Sequence, residues 1–121
     1  MSRETVDETV NETGDDIRGD VVGDRILLKR GAAAKRPLIQ RLNRIEGQVR
    51  GLRKMIEEDR YCLDEVQQIN AMTAALREVA MAIIAQHVTA GVKIAADPET
   101  SEDVALADVT RVLRAAMRLD T

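Results

Sequence analysis

The 121-residue sequence contains no phenylalanine and no tryptophan, and Tyr61 is its one aromatic residue. Unpaired bases stack on aromatic rings, so a chain almost without them is poorly suited to binding single strands by stacking. Duplex nucleic acid stays open. Cys62 is the one cysteine, so no disulfide can close within the chain, in keeping with a reducing compartment. A single histidine, His87, excludes any site built from several imidazoles of one chain. The uncharged runs, such as Val79 to Lys93 with Gln86 and His87 inside it, read as too short and too polar to span a bilayer. No basic and then apolar leader opens the chain, and a cytoplasmic location without a membrane partner is expected.

What is present is a strong segregation of charge. The total of -3 conceals three blocks: residues 1–28 sum to -5, residues 55–121 to -6, and residues 29–54 to +8, with nine bases against Glu46 alone. A single-signed stretch of this kind marks a surface for a polyanion.

Residues 1–34 mix acids, Thr, Asn and Gly with no sustained apolar period and read as an acidic, disordered tail ending in a basic arm. Residues 35–121 read as one all-α, three-helix domain. Pro37 suits the first position of the first helix, where a missing N–H costs nothing. From there Leu38, Leu42, Ile45, Val49, Leu52 and Ile56 alternate spacings of four and three, the pattern of a helix packing lengthwise on another. After the polar break Glu57 to Arg60, a long central helix spans about Leu63 to Ala95, with the row Cys62, Val66, Ile69, Thr73, Leu76, Ala80, Ile83, His87 and Ala90 in the same alternation. The segment Asp97 to Ser101 breaks it and offers caps for a third helix, whose apolar set is Leu106, Val109, Val112, Leu113, Ala116 and Met117. One copy of such a chain cannot bury two lengthwise stripes, so self-association is expected.

Cys62 and His87 are the residues here that combine soft-ligand and acid–base chemistry. Their separation of 25 positions is close to seven helical turns, so both face the same way, but at ~1.5 Å per residue they lie about 37 Å apart. Two ligands of one ion sit about 3 to 4 Å from each other, so a single copy cannot use both. A two-fold antiparallel pairing of the central helix, centred between Ala74 and Ala75, sets Cys62 of one copy beside His87 of the other and makes two equivalent sites. The plainer alternative for these two residues is a buried apolar thiol and a hydrogen-bonded core imidazole. No acid or oxyanion donor accompanies Cys62, so no catalytic residues and no enzyme are expected.

The run Arg41-Leu42-Asn43-Arg44-Ile45-Glu46-Gly47-Gln48, followed by Tyr61-Cys62, Gln67-Gln68-Ile69 and His87, resembles the CsoR/RcnR/FrmR family, the metal-sensitive transcriptional repressors, over about Lys35 to Leu119. The resemblance implies a three-helix protomer, an antiparallel homodimer and a flat homotetramer of two dimers. It also implies a repressor that leaves its double-stranded operator DNA when an inducer, Cu(I) or another transition metal ion or a thiol-reactive species, occupies a site between subunits. On that likeness Cys62 and His87 are the metal ligands, with Tyr61 and Asp108 supporting them from behind.

Departures from the family pattern bear on the inducer. Copper-sensing members carry a second cysteine four residues after the histidine, and that position here is Gly91. Nickel- and cobalt-sensing members use several histidines. Formaldehyde-sensing members use an N-terminal proline amine, whereas Pro37 is internal, and persulfide-sensing members place a cysteine where this chain has His87.

The DNA-contacting set expected is Lys35 and Arg36 in the arm before the first helix, with Arg41, Arg44, Gln48, Arg50, Arg53 and Lys54 on the helix itself. No helix-turn-helix signal is apparent, so reading through DNA shape is expected. The acidic first 28 residues are expected to compete with DNA for the basic rows. The competing reading is a helical adaptor whose stripes bind a partner and whose basic stretch only solubilises.

Overall fold

The computed structural model describes residues 16–100 and 102–120. Three helices account for most of them: α1 (Ala32–Glu57), α2 (Cys62–Ala96) and α3 (Glu102–Met117), the last followed by one 3₁₀ turn, Arg118–Asp120. Ahead of the helices stand two short strands, β1 (Ile17–Val22) and β2 (Arg25–Arg30), paired antiparallel with Ile17 opposite Arg30 and Val22 opposite Arg25.

This hairpin corrects the disordered reading of the tail over residues 17–30, while residues 1–15 lie outside the described residues. The two-residue connection Gly23-Asp24 begins at positive φ, +66°, a conformation glycine adopts without strain and one that suits a tight hairpin. Ile26 is 3% exposed and packs with Ile94 and Ala105, joined by Leu28, Ala95 and Val109. One isoleucine anchored on two helices supplies what an isolated hairpin lacks in water.

Helix α1 starts five residues before the proline expected to open it, and Pro37 lies inside it. The reason is a cap delivered from far upstream. The carboxylate of Asp16 accepts the N–H of Ala34 at 2.9 Å, and the carbonyl of Asp16 accepts the N–H of Gly31 at 2.7 Å. With orphan donors at the helix start satisfied, the extra turn forms, and Pro37 removes only the bond its own N–H would have made. Ala34, Leu38 and Ile45 face inward, and Leu38 and Ile45 pack on Val79 with Ala75 and Ala82 alongside.

The central helix matches its expected span within a residue at each end. Asp64 and Glu65 in its first turn and Lys93 in its last complement the helix dipole. It is 35 residues long, and by length and composition alone it is apolar enough to cross a membrane. That differs from the expectation drawn from its interrupted uncharged runs. Its apolar content falls on two separate rows. Met72, Val79, Ala90 and Ile94 are buried within the chain, whereas Val66, Ile69, Leu76 and Ile83 are exposed. The row of fours and threes read from the sequence is thus mostly the open one.

Candidate functional site

His87 and Asp108 meet across α2 and α3. The Nε2 atom of His87 lies 2.6 Å from Oδ2 of Asp108, whose residue is 4% exposed, and the second carboxylate oxygen accepts from Arg111 at 2.8 Å. A buried carboxylate without donors would be costly, and here both oxygens are engaged. A carboxylate accepts only, so Nε2 carries the proton and Nδ1 is left as the ring's lone-pair donor. The His87 side chain is mostly buried, at 12% exposure.

Arg111, one turn beyond Asp108, also reaches the hairpin turn, with its guanidinium 3.7 Å from the Asp24 carboxylate. Gln86, the neighbour of His87, accepts a hydrogen bond from Nε of Arg30 at 2.6 Å. Neither Arg111 nor the Arg30–Gln86 pair entered the site expected from sequence. The i to i+3 spacing of Asp108 and Arg111 was the available signal for the first, and no local signal exists for a pair 56 residues apart.

Cys62 is exposed at the first position of α2. The unbroken helix between it and His87 fixes their separation at about 37 Å within one copy. Tyr61, 67% exposed, caps the start of α2 with its carbonyl, far along the helix from His87 and from Asp108 of α3 that pairs with it. So the structure joins Asp108 to His87 and leaves Tyr61 and Cys62 apart from them. Among the described residues no three of His, Cys, Asp and Glu gather around one point.

Gly91 is buried and closed to any larger side chain. A Cβ there would stand 2.3 Å from Cγ2 of Val109, with Ile26 close behind. The place where a third protein donor could arise on this face of α2 is therefore filled by α3 and the hairpin. Position 91 thus has no room for a third donor as α3 is packed.

All eight expected DNA-contacting residues lie on α1. Lys35, Arg36, Arg44, Arg50, Arg53 and Lys54 are exposed, and Arg41 is half-buried. Gln48 is also half-buried, with its carbonyl oxygen turned inward and lacking a hydrogen-bond partner among the described residues. Lys54 approaches Glu58 at 3.9 Å, an exposed contact of small energetic weight. The helix thus presents a basic surface with Glu46 as its one acid before Glu57.

A family model described as metal-sensitive transcriptional repressor matches residues 34–115. The copper-sensing transcriptional repressor RicR of Mycobacterium tuberculosis H37Rv is 54% identical over 50 residues, 41% of this chain and 52% of that protein. The copper-sensing transcriptional repressor CsoR of Bacillus subtilis 168 is 43% identical over 63 residues, 52% of this chain and 62% of that protein. The matched stretches thus span between half and two thirds of these relatives. Among solved structures, the copper-sensing repressor CsoR with Cu(I) from Geobacillus thermodenitrificans NG80-2 superposes with a TM-score of 0.65 at 30% identity, covering 83% of this chain and all of that one.

Proposed function

Because the chain belongs to the metal-sensitive transcriptional repressor family, we propose that it binds operator DNA through α1 and lets go when an inducer bridges Cys62 of one copy and His87 of another. The observation that carries this reading is the open row of α2. Its members pair about one centre between Ala74 and Ala75: Cys62 with His87, Val66 with Ile83, Ile69 with Ala80, Thr73 with Leu76. A two-fold antiparallel contact would cover these exposed apolar residues with their own symmetry mates. The relatives named above are copper-sensing repressors, and a thiolate with an imidazole suits Cu(I) or another soft transition metal ion held by two protein donors. A thiol-reactive species is the other inducer class that Cys62 would serve.

The basic surface of α1, repeated in a dimer or a flat tetramer, would neutralise several phosphates of the duplex. Tyr61 enters the site only through a second copy, since pairing brings the start of one α2 to the end of the other. The family consists of transcriptional repressors, and no enzymatic step is assigned.

The test is titration of a protein–operator complex with Cu(I), Zn(II), formaldehyde and a persulfide donor, reading DNA release by fluorescence anisotropy. One of these releases DNA from the wild type, and Cys62→Ala abolishes that release while keeping the affinity of the ligand-free protein. Full release from Cys62→Ala would sink the proposal, and absence of duplex binding would favour the adaptor reading.

A further inference from the structure

We propose that the β1–β2 hairpin is a strap joining His87 to the start of the basic helix, with Gln86, Arg30 and Asp16 as its positioning residues. The inference deepens the proposed function, resting on His87 as a ligand and α1 as the DNA helix.

Three contacts carry it. At the base of the hairpin, Arg30 donates to Gln86, the residue immediately before His87, at 2.6 Å. At the same base, Asp16 holds the first turn of α1 through Gly31 and Ala34. Ile26, in the second strand, is buried among Ile94, Ala105 and Val109, with Gly91 of α2 beside it. The base of the hairpin is therefore fastened both to the sensor end of α2, through Arg30, and to the entry of α1, through the next residue, Gly31. Close-packed contacts of this kind pass a displacement on rather than absorbing it. A shift of the helix at residues 86 and 87 is passed through Arg30 to the residue that follows it, Gly31, the N-cap of α1. Lys35 and Arg36 follow within the first turns of α1 and move with that cap.

Arg111 adds a lighter tie, from Asp108 to the exposed Asp24 in the turn. Its 3.7 Å separation in solvent makes it the weaker of the two links, so the experiment addresses the base. Gln86→Leu removes the acceptor of Arg30 without removing a positive charge, and Gln86→Glu restores an acceptor. Asp16→Ala removes the cap, and Asp16→Asn keeps it.

Operator affinity is measured for each variant with and without Cu(I). Gln86→Leu should keep metal-free operator affinity within about twofold, and both it and Asp16→Ala should lose at least about fivefold of the Cu(I)-driven weakening of DNA binding. The Glu and Asn variants should recover it. An unchanged Cu(I) response in both Gln86→Leu and Asp16→Ala overturns the strap. If the wild type itself gives no Cu(I) response, the ligand assignment fails, and amide exchange of the metal-free protein then decides the strap on its own. Gln86→Leu should speed exchange at Gly31 and Ala34 by about threefold or more while leaving residues 63–75 unaltered. Equal exchange at Gly31 and Ala34 overturns the linkage.

Discussion

Asp108 holds two donors at once, and its removal is felt twice. Asp108→Ala leaves the mostly buried His87 ring without its acceptor and half-exposed Arg111 with Asp24 alone, a loss of about 1–3 kcal/mol of stability by urea denaturation. The same variant frees the His87 ring to turn, and ligand affinity should fall by about 10- to 100-fold in a competition titration. Gly91→Ala acts by crowding. The added methyl meets Val109, and a destabilisation of about 1–3 kcal/mol is expected, relieved when Val109→Ala is combined with it. His87 and Cys62 were legible in the sequence because they share a row, and Asp108 was legible only through likeness to relatives. The closure of Gly91 was not, because it depends on which side chain α3 lays across it.

The helices and the hairpin differ in how much of them the sequence reveals. Helix α2 is written in its own periodicity, and its ends follow from a polar break on one side and Asp97-Pro98 on the other. The start of α1 is not, since its cap is Asp16, 18 positions before the amide it satisfies. The hairpin was missed for a related reason: its strands are short, acids and glycines dilute them, and their stability comes from Ile26 buried elsewhere. Ile26→Ala should therefore cost about 2–5 kcal/mol in thermal or chemical denaturation, as for other buried isoleucines. On α1 the expectation is electrostatic. Replacing Arg44 or Arg53 by Gln should weaken operator binding and lower the slope of log affinity against log salt by about one for each phosphate no longer neutralised.

Across the whole molecule, the apolar surface left uncovered on α2 sets the terms of assembly. Ile69→Lys or Leu76→Lys places a charge in the open row close to its proposed centre, and sedimentation velocity at micromolar concentration should show a smaller species than the wild type. Sedimentation unchanged in both variants would remove the antiparallel contact. The uninterrupted run from Cys62 to Ala96 also has a consequence for how such a chain can change in length. A single-residue deletion between Cys62 and His87 would turn one against the other by ~100° and shift the pairing centre by about half a residue. Removing seven residues would keep both on one side and shorten the helix by about 10.5 Å. The central helix is thus a ruler graduated in heptads, and indels that respect its graduations are the ones a working descendant can carry.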